Sequence, residues 1–213
     1  AFGLGLNACT AIRTKYFWYL IWFLPLGGVF IWFIYHQFGK SVANGMKMVF
    51  HVGLGKNTKL PIRMVPLSVI GTWTTHLFGG SAGREGVAVQ IGAAVSNNIG
   101  RLVDKTIDIE NSRKMFLITG MAAGFSGLFC TPLAAIFFAL EVLVAGKLEY
   151  HALIPATVAS ISAAFTSRAL GLRKFHINIL ETLNYHPSTY NAILLLKLAA
   201  MGLVFGIVGS LFA

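Results

Sequence analysis

The sequence predicts an all-α integral membrane protein. Of its 213 residues, 56% are hydrophobic and only 11% are charged, and the mean hydropathy is +0.72. A soluble globule needs more polar surface than this, so the bilayer is the expected solvent. The 17 Phe, 4 Trp and 23 Gly agree with that prediction, because aromatic rings gather at membrane interfaces and glycine lets membrane helices pack closely.

Hydropathy divides the chain into apolar segments separated by polar connections. The longest segment, 16–38, is basic at its start, rich in Trp and Tyr, and long enough to cross a bilayer. Several others are shorter than the roughly 20 residues that a spanning helix needs. Short, glycine-punctuated segments are typical of transporters with broken helices, whose ends stop at mid-membrane depth to face an ion. The other segments are 1–12, 41–54, 63–79, 86–103, 112–129, 132–145, 149–170 and 192–213, and the polar connections are 104–114 and 171–191.

The formal net charge of +10 comes from basic residues that are dispersed among the loops. Dispersed Lys and Arg orient membrane helices and attract anionic lipid, whereas a nucleic-acid-binding protein concentrates them on one face, so no nucleic-acid partner is predicted. Cys9 and Cys130 lie in apolar surroundings and form no metal or redox motif. No histidine pair has metal-ligand spacing, and neither a metal nor a cofactor is expected.

Glu85 is the first candidate for the chemistry of this chain. Of the seven acids, all but Glu85 and Glu141 lie in polar connections or near helix ends, and an ionisable group at membrane depth is costly enough to be a functional candidate. Glu85 follows the Gly-rich turn at 79–84 and begins a helix, where unpaired N–H groups and the helix dipole suit an anion. A carboxylate there can occupy the anion's place, and once protonated it can swing away and carry a proton. The alternative interpretation is that Glu85 only stabilises the first turn.

A second helix start is predicted at Thr131-Pro132. Threonine is a common N-cap and proline favours the first helical position. Glu141 lies well inside that helix. For this acid a structural hydrogen bond to neighbouring backbone or to a polar partner is preferred over a role in transport.

Two motifs in the chain, taken together, resemble a known family. Residues 83–86, Gly-Arg-Glu-Gly, resemble the motif of CLC anion channels and transporters in which the glutamate is the gate. Residues 124–141, from Gly-Phe through Thr131-Pro132 to Phe-Ala-Leu-Glu, resemble the segment that lies two helices further on in that family. The order and spacing of the motifs both match, and the similarity covers roughly residues 40–170.

The departures from the usual family pattern are similar to its fluoride/proton antiporter branch. Val87 replaces the proline that usually follows the gate motif. The anion-binding Gly-Ser-Gly-Ile-Pro turn appears as Gly-Met-Lys-Met-Val at 45–49, with Met46 in place of the serine. Val142 stands where chloride/proton exchangers carry their inner proton-transfer glutamate. Their two-glutamate proton path is therefore not expected here.

The resemblance implies a CLC-type fold of two inverted repeats with short, broken and tilted helices, in a homodimer whose subunits each contain a pore. Residues 1–191 would form the first repeat, with a truncated start, and residues 192–213 would be the first helix of the second. The implied function is secondary active transport across the bacterial plasma membrane, which the chain crosses several times, with fluoride export coupled to proton import through Glu85. The implied anion-binding residues are Gly45, Met46, Gly83, Arg84, Gly86 and Val87.

Three alternatives remain open at this stage. The nearest is a chloride channel or chloride/proton exchanger of the same family, because the identity of the anion depends mainly on Met46 and Val142. An intramembrane serine protease is another, because Gly-Phe-Ser-Gly at 124–127 matches a nucleophile turn with His151 or His176 downstream. These small residues equally suit helix packing, so a transporter is preferred over an enzyme. A non-catalytic membrane scaffold would leave the cost of Glu85 unexplained.

Overall fold

Residues 2–56, 59–103, 112–144, 146–172 and 192–211 are described by a computed structural model. They form helices and connections, with no strand in this part of the chain, so the all-α prediction is confirmed. Contacts divide the chain into two units, 1–174 and 175–213. The first unit contains α1 (Phe2–Leu20), α2 (Leu24–Phe38), α3 (Met46–Gly53), α4 (Met64–Leu77), α5 (Glu85–Val103), α6 (Ser112–Phe129), α7 (Pro132–Glu141) and α8 (Leu153–Ala169), and the second contains α9 (Ala192–Leu211).

The first two helices form one nearly continuous helical stretch. The predicted second segment begins at a kink at Tyr16 (φ −119°, ψ 28°), which separates two helical parts of α1, although the polar residues 13–15 before it are also helical. A second interruption, which the sequence did not predict, is a short 3-10 turn at Ile21–Phe23, and the proline that follows it favours the first turn of a new helix. The stretch Phe2–Phe38 is long and apolar enough to cross a membrane.

The remaining predicted segments match observed helices closely, except that two of the helices are shorter. α3 begins at Met46 rather than near residue 41, because the preceding residues form turns and Gly45 has a positive φ of 51°, a conformation that suits glycine. α7 ends at Glu141 rather than at residue 145, and Gly146 beyond it has a φ of 75°. Short helices of this kind agree with the predicted broken-helix architecture.

α5 and α6 pack with their backbones in direct contact. A Cβ added to Gly92 would overlap the carbonyl group of Gly120, and a Cβ added to Gly124 would overlap the carbonyl oxygen of Ala88. Along the same contact, the hydroxyl group of Ser96 donates to a carbonyl oxygen of α6 at 2.6 Å. Small residues rather than bulky side chains therefore form this interface, as is common between membrane helices.

α6 is the central helix of the first unit. It contacts α3, α5, α7 and α8. The Ser126 hydroxyl donates to the Ser160 carbonyl oxygen in α8 at 2.7 Å, and the Ser160 hydroxyl donates to the Pro132 carbonyl oxygen at 3.0 Å. These bonds fix the last turn of α6 and the start of α7 to the middle of α8, because a buried hydroxyl in a bilayer needs a protein acceptor.

Candidate anion site at two helix starts

The gate motif forms the start of α5, as predicted. Glu85 is the first residue of the helix, and its side chain is exposed. The carbonyl oxygen of Arg84 accepts the N–H of Ala88 at 3.0 Å, which begins the helical hydrogen-bond pattern. The N–H groups of residues 83–87 donate to no acceptor in the described parts of the chain. The start of α5 therefore offers a row of free donors at the positive end of the helix dipole.

Two glycines leave the space around these donors open. A Cβ placed on Gly83 or on Gly86 would meet no atom within 4 Å. Packing among the described residues therefore does not require glycine at either position. The missing side chains leave the backbone accessible to a small ligand, which is a common use of glycine beside an anion.

The glycine-rich turn before α5 is attached to α1 and α4. Gly79 has a φ of 86°, and the N–H of Gly80 donates to the Thr75 carbonyl oxygen at 2.8 Å. From α1, Arg13 donates through Nη1 to the His76 carbonyl oxygen at 3.5 Å. The ring of His76 bonds through Nδ1 to the Thr72 carbonyl oxygen one turn earlier at 3.0 Å, a contact within α4.

The second predicted anion-binding turn forms the start of α3. Gly45 precedes the helix and Met46 is its first residue. The N–H of Gly45 donates to the Val42 carbonyl oxygen at 3.0 Å, and the N–H of Lys47 donates to the Asn44 carbonyl oxygen at 3.1 Å. The N–H of Met46 has no acceptor in the described part of the chain. It is therefore the donor that this turn can offer to an anion, while the Met46 side chain packs against the core.

Gln90 links the two helix starts. α3 contacts α5, and a Cβ on Gly45 would lie 3.4 Å from Nε2 of Gln90. Oε1 of Gln90 accepts a hydrogen bond from the Ser68 hydroxyl of α4 at 3.2 Å. The structure thus brings the predicted site residues together on two contacting helices, with Gly45 and Met46 on one and residues 83–87 on the other. The sequence did not single out Gln90, and the only signal for it is its position one turn after Gly86.

Glu149 lies in a different environment from Glu85. It precedes α8, is 6% exposed, and its Oε1 accepts from Nζ of Lys114 at 2.6 Å. Its Oε2 lies 3.5 Å from Nδ1 of His151. The hydrogen bond from Lys114 lowers the pKa of the Glu149 carboxyl group below its ordinary value, burial acts in the opposite direction, and the nearby charges of Lys114, Lys147 and His151 lower it further.

The burial and pairing of Glu149 are not visible in the sequence. Glu149 lies near a helix start, as predicted. Its ion pair joins residues 35 positions apart, and so the sequence does not reveal it. Glu141 makes the predicted structural hydrogen bond, because its Oε1 accepts the N–H of Gly146 at 3.3 Å. The prediction that it lies well inside the helix is wrong, because it is the exposed last residue of α7. Val142 packs against the hydrophobic core.

The structure does not support the serine-protease alternative. Ser126 is fully buried and its hydroxyl group donates to a backbone oxygen of α8 at 2.7 Å. His151 is bound to Glu149 instead, and His176 lies outside the described residues. Among the described residues, no group of three or more His, Cys, Asp or Glu could hold a metal ion.

Comparison with known proteins identifies relatives across the whole chain. The sequence profile of the family described as "Voltage gated chloride channel" matches residues 27–213. The chain is 37% identical over 212 residues to the chloride/fluoride channel protein of Pseudomonas syringae pv. tomato, with 100% of this chain and 45% of that protein covered. It is 33% identical over 157 residues to the H(+)/Cl(-) exchange transporter ClcA of Citrobacter koseri, with 70% of this chain and 30% of that protein covered.

A solved structure shows the same fold. The crystal structure of a CLC-type fluoride/proton antiporter matches with a TM-score of 0.85 and 44% identity, over 98% of this chain and 50% of the solved one. The chain therefore spans half or less of the length of these relatives. The predicted CLC-type fold is confirmed, and the proteins similar to the chain are named as channels and transporters rather than enzymes. The chain is a membrane protein that belongs to the CLC family of voltage-gated chloride channels and transporters.

Proposed function

We propose that this chain is part of a fluoride/proton antiporter, in which fluoride export is coupled to proton import. Residues 1–191 form its first repeat in this proposal, and residues 192–213 form the first helix of its second repeat. The observation that carries the proposal is the exposed carboxylate of Glu85 at a helix start whose N–H groups are free within the described residues. A carboxylate and an anion compete for such a helix end, because both are stabilised by the same donors and dipole. Protonation removes the charge of Glu85, so a single side chain can exchange one ion for the other.

The donors available for the anion are backbone N–H groups on two helices. Those of Gly86 and Val87 belong to α5, and that of Met46 belongs to α3. In this proposal Gly45 supplies the positive φ of its turn, and Gly83 leaves room for the anion to reach the N–H groups. The carbonyl oxygen of Arg84 accepts the first hydrogen bond of α5. An anion that leaves water loses its hydration, and fixed N–H groups at a helix start replace those hydrogen bonds.

Two observations favour fluoride as the anion. The relative from Pseudomonas is named a chloride/fluoride channel protein, and the solved neighbour is described as a fluoride/proton antiporter. The side chain of Met46 offers no O–H donor at the position where the family turn usually has a serine. The chloride alternative keeps some support, because the Citrobacter relative is named an H(+)/Cl(-) exchange transporter.

The test is a flux comparison on the full-length transporter in liposomes. Vesicles are loaded with fluoride or chloride, and anion efflux and proton uptake are recorded together. We expect fluoride to leave faster than chloride, and an outward fluoride gradient to drive proton uptake. Faster chloride efflux would identify the chloride transporter of the alternative. Fluoride efflux with no proton uptake would identify a channel.

We propose further that the transporter is a homodimer in the bacterial plasma membrane, which it crosses several times. The end of α1 and the 3-10 turn after it carry exposed Trp18, Tyr19 and Trp22, residues that favour a lipid interface. The exposed side chains of α7 and α8 include Phe137 and Ile154, which suit a protein partner as well as lipid.

Cysteine crosslinking tests the dimer. In a full-length protein whose native cysteines are all replaced, Ile154→Cys is expected to give a crosslinked dimer in the membrane. Trp22→Cys, which is equally exposed, serves as the control and is expected to stay monomeric under the same treatment. Crosslinking at neither position or at both would contradict an interface on α8.

A further inference from the structure

The side chain of Gln90 joins α5 to α4 and faces the start of α3 beside the candidate anion site. It projects from α5, its Oε1 accepts the Ser68 hydroxyl of α4 at 3.2 Å, and its Nε2 faces Gly45 at the start of α3. Ser68 is itself 6% exposed and lies on the buried side of α4. Breaking the bond between Ser68 and Gln90 would leave the buried Ser68 hydroxyl without a partner, which costs free energy, so the bond holds the Gln90 side chain in place.

The Ser68 hydroxyl and Gly45 lie at opposite ends of the Gln90 amide. The hydroxyl group donates to the carbonyl end at 3.2 Å, and the NH2 end faces α3. That NH2 group donates to no acceptor within the described residues. A Cβ on Gly45 would lie 3.4 Å from Nε2, so residue 45 and the amide are within van der Waals reach of each other. The amide and Gly45 thus meet where the two donor-bearing helix starts approach each other.

We infer that Gln90 is a positioning residue that sets the spacing between the starts of α3 and α5, and thereby the size of the anion that they select. The inference rests on the proposed function, in which Met46 and residues 86–87 share one anion. Donors on two separate helices favour a small ion only if their spacing is fixed. The Gln90 amide fixes this spacing, because its bond to Ser68 anchors it on α4. A flexible apolar side chain in its place would let α3 move away from α5, and the wider site would favour the larger chloride.

The experiment compares two substitutions on the same helix in the full-length transporter. Gln90→Met keeps the approximate volume and removes the amide. Asn98→Leu is the matched control, because Asn98 also bridges α5 to a neighbouring segment, through Nδ2 to the Leu60 carbonyl oxygen at 2.9 Å, but further along the helix. The measured quantity is the ratio of fluoride flux to chloride flux in liposomes. Being a ratio, it does not change when a variant merely yields less folded protein.

We expect the ratio to fall about fivefold in Gln90→Met, the effect of losing one hydrogen bond of typical net strength. It should stay unchanged in Asn98→Leu. An unchanged ratio in Gln90→Met, or an equal fall in Asn98→Leu, would overturn the inference. Failure of the proposed function is visible separately, because it would appear as chloride preference or absent proton coupling in the unsubstituted protein.

A second pair of variants applies if Gln90→Met does not fold. Ser68→Ala removes the hydroxyl group that orients the amide, and Ser68→Thr keeps it. We expect the flux ratio to fall in Ser68→Ala and to be retained in Ser68→Thr. Equal ratios in Ser68→Ala and the unsubstituted protein would show that the amide orientation plays no part in selecting the anion.

Discussion

Glu85 and Glu149 are two carboxylates that each follow a connection and lie at or just before a helix, but their surroundings are opposite. Glu149 is buried and bound by Lys114 and His151. Glu85 is exposed and has no hydrogen-bond or ion-pair partner in the described part of the chain. A paired carboxylate is already stabilised where it lies, whereas an unpaired one at a helix start is available to exchange with another anion. The presence of a partner, rather than the place in the sequence, distinguishes the structural acid from the candidate gate.

The strongest test of this difference is to neutralise the candidate gate. In Glu85→Gln we expect proton uptake to be abolished, because the amide cannot bind and release a proton. Fluoride efflux and proton uptake in liposomes are measured together, with Glu141→Gln as the control that keeps its coupling. Proton uptake that persists at the normal ratio to fluoride would contradict the role assigned to Glu85.

The next test disrupts the scaffold that carries both regions. Gly120→Ala would place a Cβ against the Gly92 carbonyl group and Ser96, and because α5 carries Glu85 and α6 carries Lys114, both regions would be disturbed. We expect a loss of roughly 3 kcal/mol of stability, at the upper end for overpacking, since backbone cannot move aside as a side chain can. Thermal unfolding in detergent measures it.

A matched glycine on α6 provides the control for that change. In Gly127→Ala the new Cβ would meet the Ala163 Cβ at 3.7 Å, an ordinary contact. We expect a change of about 0.5 kcal/mol or less. Equal destabilisation of the two variants would mean that the backbone contact between α5 and α6 is not what limits stability.

A smaller effect is expected from neutralising the structural acid. Glu149→Gln leaves the ammonium group of Lys114 without its carboxylate, which should cost about 1–3 kcal/mol. The ratio of protons to fluoride transported should stay unchanged, in contrast to Glu85→Gln. Thermal unfolding and coupled flux measure the two properties on the same preparation. A lower ratio of protons to fluoride in Glu149→Gln would show that Glu149 also takes part in proton transfer.

The smallest expected effect is on the pH dependence of stability, through the ion pair of Glu149 and Lys114. Because Lys114 lowers the pKa of Glu149 in the folded protein, the pair contributes stability that is fully present above the unfolded carboxyl pKa of about 4.3. That contribution is lost as the pH falls through the lower folded value. The melting temperature should therefore fall more steeply with acidification in the unsubstituted protein than in Lys114→Met. Parallel curves would show that the pair contributes nothing.

Local signals in the sequence predicted most helix starts correctly. They did not predict the contacts between segments that are distant in the sequence. The bounds of α6 and the start of α5 at Glu85 agree with prediction, because glycine, proline and hydropathy act within a few residues. The sequence does not reveal the ion pair of Glu149 or the bridging role of Gln90, because each depends on side chains from separate helices. The break at Ile21–Phe23 was not predicted because the residues around it are continuously apolar, so hydropathy carries no signal of it. The predicted division into repeats at residue 192 stays a prediction.

The contact between α5 and α6 has a mechanical consequence. The carbonyl groups of Ala88 and Gly120 lie against glycines of the opposite helix, with no layer of side chains between them that could repack. Turning α5 about its axis would replace those glycines with bulkier residues and force the helices apart. α5 is therefore unsuited to act as a lever during a transport cycle. Rotation of a single side chain about its own bonds therefore needs less rearrangement at this site than tilting or rotating the whole helix.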